Sequence, residues 1–142
     1  MQKTNLGRVV IGGVVAGLVA NVLGYIVDNV LLASQWAEAM KALGRPDITN
    51  SQITAFLVLG FVYGLFTIWL YASIRPRFGA GPQTAIVAGV ASWVGGLLIP
   101  NVALLGVTGL FPPNLVALTT LGALIEWVAG ALAGAALYKD YE

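Results

Sequence analysis

Four long apolar runs constrain the fold of this chain more than any other feature. They lie near residues 9–32, 53–74, 82–105 and 115–138, and each has the roughly 20 residues that an α-helix needs to cross a bilayer. A membrane β-barrel would alternate apolar and polar residues in segments of about ten, whereas these runs are continuous. The sequence therefore predicts an all-α, polytopic membrane protein. Residues 1–142 form a single domain, a bundle of four transmembrane helices.

The first run has a second possible interpretation, a secretory signal peptide. The apolar region of a signal peptide has about 7–15 residues. This run is longer, and it contains Asn21 and Asp28. We therefore interpret it as a membrane span.

The composition supports a membrane protein and excludes several classes of function. Charged residues make up 9% of the chain and hydrophobic residues 58%, whereas soluble domains have about 25% charged residues. The net charge of +1 excludes a nucleic-acid interface built on a basic face. The chain has no Cys and no His, so thiolate or imidazole metal sites, His- or Cys-ligated haem, and Ser–His or Cys–His catalysis are excluded. We expect no cofactor, and a carboxylate-only hydrolase is the remaining enzymatic alternative.

Basic residues predict the orientation in the membrane. Arg8 precedes the first span, Arg75 and Arg77 lie between the second and third, and Lys139 follows the fourth. All lie on one side, which the positive-inside rule assigns to the cytoplasm, so both termini are expected there. Arginines at this position also suit lipid phosphates.

A short amphipathic helix is predicted in the loop on the opposite side, at about residues 34–44. Trp36, Met40 and Leu43 share one helical face, as in helices that lie in a membrane interface. Gly44 suits the position after a helix end, and Pro46 prevents continuation.

Small residues at helical spacing mark faces on which membrane helices approach closely. The glycines that we assign to helix packing are Gly13, Gly17, Gly24, Gly60, Gly64, Gly122, Gly130 and Gly134. A bundle so rich in glycine has a small core and leaves room for partners. We therefore expect, besides the lipid bilayer, a homo-oligomer or a larger membrane complex.

Four polar residues inside the spans form the candidate site: Asn21, Asp28, Asn101 and Glu126. A carboxylate at the depth of Glu126 costs several kcal/mol and usually faces a partner or a water-filled cavity. Two interpretations stay open, a polar clamp between helices and a proton or cation site. A hydrogen bond from Asn21 to Glu126 is possible if the first and fourth spans are neighbours. Pro100 and Asn101 either unwind the third span or mark a kink.

Two segments resemble a family of small four-helix bacterial membrane proteins. They are WLYASIRPRFGAGP at 69–82 and VLLASQWAEAMKALG at 30–44. Gly24, Tyr25, Trp36, Met40 and Leu43 also resemble, more loosely, the four-helix DUF1761 family, although Tyr25 stands in place of the usual Gly-x-Trp-Tyr motif. The resemblance implies a bacterial cytoplasmic membrane location and no mechanism. Small multidrug transporters carry their membrane Glu in the first helix, and fluoride channels insert in both orientations, so neither matches.

Two functions follow from these observations. The first is a non-catalytic binding, assembly or accessory subunit of the bacterial cytoplasmic membrane. The alternative is a small proton- or cation-coupled transporter or channel in which Glu126 binds the ion.

Overall fold

The computed structural model describes residues 4–140, and this part of the chain is all-helical, without strands. Helix α1 is Leu6–Ile26 and continues in a π-helical turn, Val27–Leu31; α2 is Ala33–Ala42; α3 is Asn50–Phe78; α4 is Pro82–Trp93 and continues in π-helical turns at Val94–Leu98 and Asn101–Val107; α5 is Pro113–Ala135. Helices α1, α3, α4 and α5, with their extensions, are long and apolar enough to cross a membrane. The predictions of an all-helical fold and of four membrane-length helices are confirmed.

The helix ends differ from the predicted boundaries by a few residues, because local capping decides them. Helix α3 begins early because Thr49, rather than Asn50 or Ser51, caps it: its hydroxyl accepts from the Gln52 amide, and the Gln52 side chain accepts from the Thr49 amide. The helix then continues past Pro76 and ends at Gly79, whose φ is +87°. Gly44, with φ of +65°, lies just past the end of α2.

The four long helices form a ring of antiparallel neighbours. Helix α1 packs on α3, α3 on α4, α4 on α5, and α5 closes the ring against α1. Arg8, Arg75 and Arg77 therefore lie at one end, the basic end, and α2 lies at the other, the α2 end. At the basic end Arg75 pairs with Asp140 at 2.6 Å. Residues 1–3 and 141–142 lie outside the described residues, so the cytoplasmic placement of the termini stays a prediction.

Glycine allows the helix backbones to touch in the half of the bundle nearer the basic end. A side chain at Gly130 would place its Cβ 2.7 Å from the carbonyl oxygen of Ala16, and one at Gly13 would meet the Cα of Leu65 at 2.7 Å. All eight glycines assigned to packing lie against another helix of this same chain. Their close approaches are thus made within the chain, so they give no support to an interface with a partner.

Pro100 lies inside a helical segment rather than at an unwound end. Its φ of −60° and ψ of −42° are helical, but proline has no N–H to donate to a carbonyl of the preceding turn. The helix widens into π-helical turns on both sides of Pro100. The Gly96 carbonyl accepts a hydrogen bond from the Tyr63 hydroxyl at 3.2 Å, which links this segment to α3.

Helix α2 covers the ends of α1 and α5 that lie away from the basic end. Its Ala39 is buried with Leu32 and Leu115, and the Trp36 ring packs edge-on to Phe111 at 5.3 Å. Leu43, which the sequence placed on the same apolar face, is 41% exposed. The packed face therefore centres on Trp36 and Ala39 rather than on Trp36, Met40 and Leu43.

Candidate functional site

Glu126 lies on α5 in the contact with α1. The residue is 8% exposed, and its Oε2 atom is 3.1 Å from the point where a Cβ at Gly24 would lie. The absence of a side chain at Gly24 thus makes the space that the carboxylate occupies. Its other oxygen, Oε1, is buried and has no hydrogen-bond partner within residues 4–140. An unpaired, buried carboxylate oxygen is costly. Gln35, Thr67 and Ser92 also have a buried side-chain oxygen without a partner in the described residues, and Glu126 is the carboxylate among them.

Asp28 lies in the same helix contact, nearer to α2. It belongs to the π-helical turn of α1, and its Oδ1 accepts hydrogen bonds from the Thr119 hydroxyl at 2.7 Å and from the Trp36 indole N–H at 3.1 Å. Three helices, α1, α2 and α5, therefore hold this carboxylate in place.

A thin apolar layer stands between the two carboxylates. Gly122 lies one turn of α5 before Glu126, and a Cβ there would be 2.7 Å from a methyl group of Val27. We call the group formed by Gly24, Val27, Asp28, Thr119, Gly122 and Glu126 the acidic seam. Its carboxylates belong to different helices, so a change in the α1–α5 contact changes their separation.

Asn21 does not join the acidic seam. Its Nδ2 donates to the Leu57 carbonyl of α3 at 3.0 Å, and its side chain lies over Gly60. The hydrogen bond to Glu126 that the sequence allowed is thus not formed, although α1 and α5 are neighbours. Asn21 and Gly24 lie only about 60° apart around the helix, but Asn21 lies over Gly60 of α3 and Gly24 lies against Glu126 of α5.

The small and polar residues of α1 form two stripes. Gly13, Gly17 and Asn21 follow each other at four-residue spacing and contact α3. Gly24 and Asp28 contact α5. The sequence could not separate the two stripes, because the positions of the neighbouring helices decide which face meets which partner.

Asn101 lies on the other side of α5. Its Nδ2 donates to the Thr120 hydroxyl at 3.1 Å, and the Trp93 indole N–H donates to the Thr120 carbonyl at 2.8 Å. This polar contact between α4 and α5 lies beside Thr119 of the acidic seam without touching Glu126. Of the four predicted residues, the structure therefore brings Asp28 and Glu126 together and places Asn21 and Asn101 at separate contacts.

Thr119, Thr120 and Trp36 hold the polar groups in place, and the sequence interpretation missed that role. The adjacent threonines are the only hydroxyl-bearing residues in the predicted fourth span apart from Tyr138, a signal that was available. Trp36 was assigned only to an interfacial face. Its hydrogen bond to Asp28 depends on the way α2 folds back over α1.

The chemistry of the seam suits a proton or a small hard cation. Carboxylate and hydroxyl oxygens are the ligands that hard cations prefer. Within residues 4–140 no three Asp or Glu residues group together as a metal site, whereas a calcium site has six to eight oxygen ligands. The seam therefore has fewer oxygen ligands than a calcium site and suits a proton or a small monovalent cation.

The arginines assigned to topology and lipid head groups lie at the basic end. Arg8 and Arg77 are exposed, whereas Arg75 pairs with Asp140 and lies over the Tyr138 ring at 5.4 Å. Lipid binding by these side chains stays a prediction.

Comparison with known proteins adds no relative. No family model, curated protein or solved structure matches this chain. The resemblance described above therefore stays a prediction based on the quoted segments.

Proposed function

We propose that this chain is a non-catalytic multi-pass membrane protein that binds a proton or a small monovalent cation at Glu126. The observation that carries the proposal is the buried Oε1 atom, which has no partner within the described residues. A carboxylate within the membrane marks an ion pathway or proton relay in many transporters. The second carboxylate, Asp28, lies on the same seam, beyond the layer formed by Val27 and Gly122.

The polar clamp is the competing interpretation of Glu126. A clamp stabilises a helix contact by pairing polar groups, each pair contributing about 0.6–2 kcal/mol. Here the Asn21 amide pairs with Leu57, and Oε1 of Glu126 pairs with nothing that the structure describes. An ion-binding role gives this oxygen a partner, and a clamp does not.

The proposal extends to transport as its second step. Movement of the bound proton or cation across the bilayer would make the chain a small coupled transporter or a channel. Flux in liposomes that is present in the wild type and absent in Glu126→Gln supports this step. A Glu126 that binds the ion in liposomes without any flux restricts the function to binding.

An assembly or accessory role in the bacterial cytoplasmic membrane is the second candidate. One observation favours it: a groove of about 340 Å³ opens on the outer surface between α1 and α3. Asn21, Tyr25 and Phe61 are among its lining residues. The mass of the protein purified in a mild detergent tests this role, and a monomer without partners contradicts it.

Infrared difference spectroscopy of the carboxyl groups in nanodiscs tests ion binding at Glu126. We expect a carboxyl band that responds to pH or to added Na⁺ or K⁺ and that disappears in Glu126→Gln. Glu38→Gln is the matched control, because Glu38 is an exposed residue of α2, and its spectrum should keep the band. A wild-type spectrum in which Glu126 responds to neither pH nor cations overturns the proposal.

A further inference from the structure

The route by which an ion reaches Glu126 can be read from the packing on either side of it. This inference rests on the proposed function and concerns the access and regulation of the same site. On the side of the basic end, Ala16 and Ala131 are 0% exposed and Ala20 is 4% exposed, and the backbones of Ala16 and Gly130 touch. Close-packed interiors leave no void for water or an ion, so the seam is closed in that direction.

The Glu126 side chain points the other way. Long side chains on a helix lean toward its N-terminus, and α5 begins at the α2 end. The carboxylate accordingly contacts Gly24, which lies one turn of α1 nearer to α2 than Ala20. The side chain therefore points toward α2. The apolar contact of Val27 with Gly122 lies between it and Asp28, so an ion reaches Glu126 from that side only when this contact opens.

Asp28 is the next polar group in that direction. It is only partly buried and lies in the π-helical turn Val27–Leu31. Such turns occur frequently at functional sites. The Thr119 hydroxyl that bonds to it is supplied by α5, so the polar groups line both sides of the helix contact.

Trp36 of α2 covers this position. Its indole N–H donates to Asp28 at 3.1 Å, and its ring packs edge-on to Phe111 in the segment before α5. Helix α2 has ten residues, of which only Ala39 is fully buried. The residues that follow it, 43–50, are all exposed. A helix held by so few contacts opens at low cost compared with the long helices.

We propose that Glu126 exchanges its proton or cation only with the aqueous phase at the α2 end, beside Asp28, and that Trp36 is the gate on this route. Opening breaks the Trp36–Asp28 hydrogen bond and the Trp36–Phe111 contact together. Closing restores both, and separates Glu126 from water.

Cysteine labelling tests the route, because the chain contains no cysteine of its own. A Glu126→Cys variant in sealed proteoliposomes is treated with a charged, membrane-impermeant thiosulfonate on one side at a time. Asp47→Cys in the loop after α2 and Arg77→Cys at the basic end report which side the reagent reaches. We expect the thiol at position 126 to be modified from the α2 end and not from the basic end.

The gate is tested by combining Glu126→Cys with Trp36→Ala or with Trp36→Phe. The Ala variant removes the ring and the N–H, and the Phe variant removes the N–H alone. We expect a severalfold faster modification with Ala and a smaller increase with Phe. Trp69→Ala is the matched control, because Trp69 is 47% exposed on the outer surface of α3, and it should leave the rate unchanged.

Modification from the basic end overturns the proposed route, and a rate that is the same with and without Trp36 overturns the gate. If Glu126→Cys does not fold, Thr119→Cys gives the same test one step nearer to α2. Labelling does not depend on ion binding. If the Glu126 carboxyl band responds to neither pH nor cations but labelling occurs from the α2 end, the proposed function is wrong and the route stands. If the band responds but labelling occurs from the basic end, the route is wrong and the function stands.

Discussion

The half of the bundle nearer the basic end and the half nearer α2 differ in how their helices meet. In the basic half the helices are regular, and glycines bring backbones into direct contact. In the α2 half, α1 and α4 continue as π-helical turns. There the contacts are hydrogen bonds between side chains, such as those from Thr119 to Asp28 and from Asn101 to Thr120.

The comparison suggests a division of roles within one small bundle. Direct backbone contact leaves no room for alternatives, so the basic half fixes the arrangement of the four helices. Hydrogen bonds between side chains break and form more readily than a packed backbone shifts. The α2 half is thus the part in which a bound ion or a moving Trp36 changes the structure at low cost. Four experiments test this division.

The largest effect is expected at a glycine of the basic half. Gly130→Ala places a methyl group against the Ala16 carbonyl, and overpacking of this kind costs about 1–3 kcal/mol. The free energy of unfolding in mixed micelles measures the loss. Gly95→Ala is the matched control, because no atom lies within 4 Å of a Cβ built there. Equal stability of the two variants would contradict the close backbone contact that we describe in the half of the bundle nearer the basic end.

The hydrogen bond around Pro100 gives an intermediate effect. Tyr63→Phe leaves the Gly96 carbonyl without its donor, and we expect a loss of about 1 kcal/mol. The free energy of unfolding measures the loss, with the 53%-exposed Tyr25 as Tyr25→Phe for control. Equal losses in the two variants would disprove the role assigned to Tyr63.

A smaller effect, confined to alkaline pH, is expected at the basic end. Tyr138 is 4% exposed, and burial raises the pKa of its hydroxyl above the usual value. The folded protein therefore holds this proton more tightly than the unfolded chain. Its contribution to stability is complete below the unfolded pKa of about 10 and is lost as the pH rises through the folded pKa.

The measurement is the free energy of unfolding against pH for the wild type and for Tyr138→Phe. The variant loses the hydrogen bonds that the hydroxyl makes with Asn5 and Asp140, so it should be less stable near neutral pH. Above about pH 10 the difference should shrink. A difference in the free energy of unfolding that stays constant across that range would argue against a raised pKa of the Tyr138 hydroxyl.

The smallest effect on stability is expected at Glu126. Glu126→Leu removes a buried carboxylate whose Oε1 has no partner in residues 4–140, so the stability should stay the same or rise slightly. Ion binding should be lost. A clamp would give the opposite result, a loss of about 1 kcal/mol or more. The same unfolding assay, with Glu126→Gln beside it, distinguishes the two.

Much of the fold could be predicted from local features of the sequence. Four runs of sufficient length predict four spans, and Gly44 and Pro82 mark helix ends because their backbone requirements do not depend on distant residues. The start of α3 was less predictable, since Thr49, Asn50 and Ser51 are all capable caps. Only the reciprocal bond with Gln52 decides between them.

The site was less accessible to sequence reasoning, because it depends on contacts between distant parts of the chain. Glu126 and Asp28 stood out as charges in apolar runs, and they do lie on one seam. The partner of Asn21 depends on where α3 lies relative to α1. The hydrogen bond to the Gly96 carbonyl comes from Tyr63 of another helix, and Trp36 reaches Asp28 only because α2 folds back over α1.

The seam between α1 and α5 joins two of the four membrane-length helices. Asp28 belongs to the extension of α1, whereas Thr119 and Glu126 belong to α5, so the seam exists only once both helices are in place. Its hydrogen bond from Thr119 to Asp28 links residues 91 positions apart, which makes this contact one that local structure cannot form.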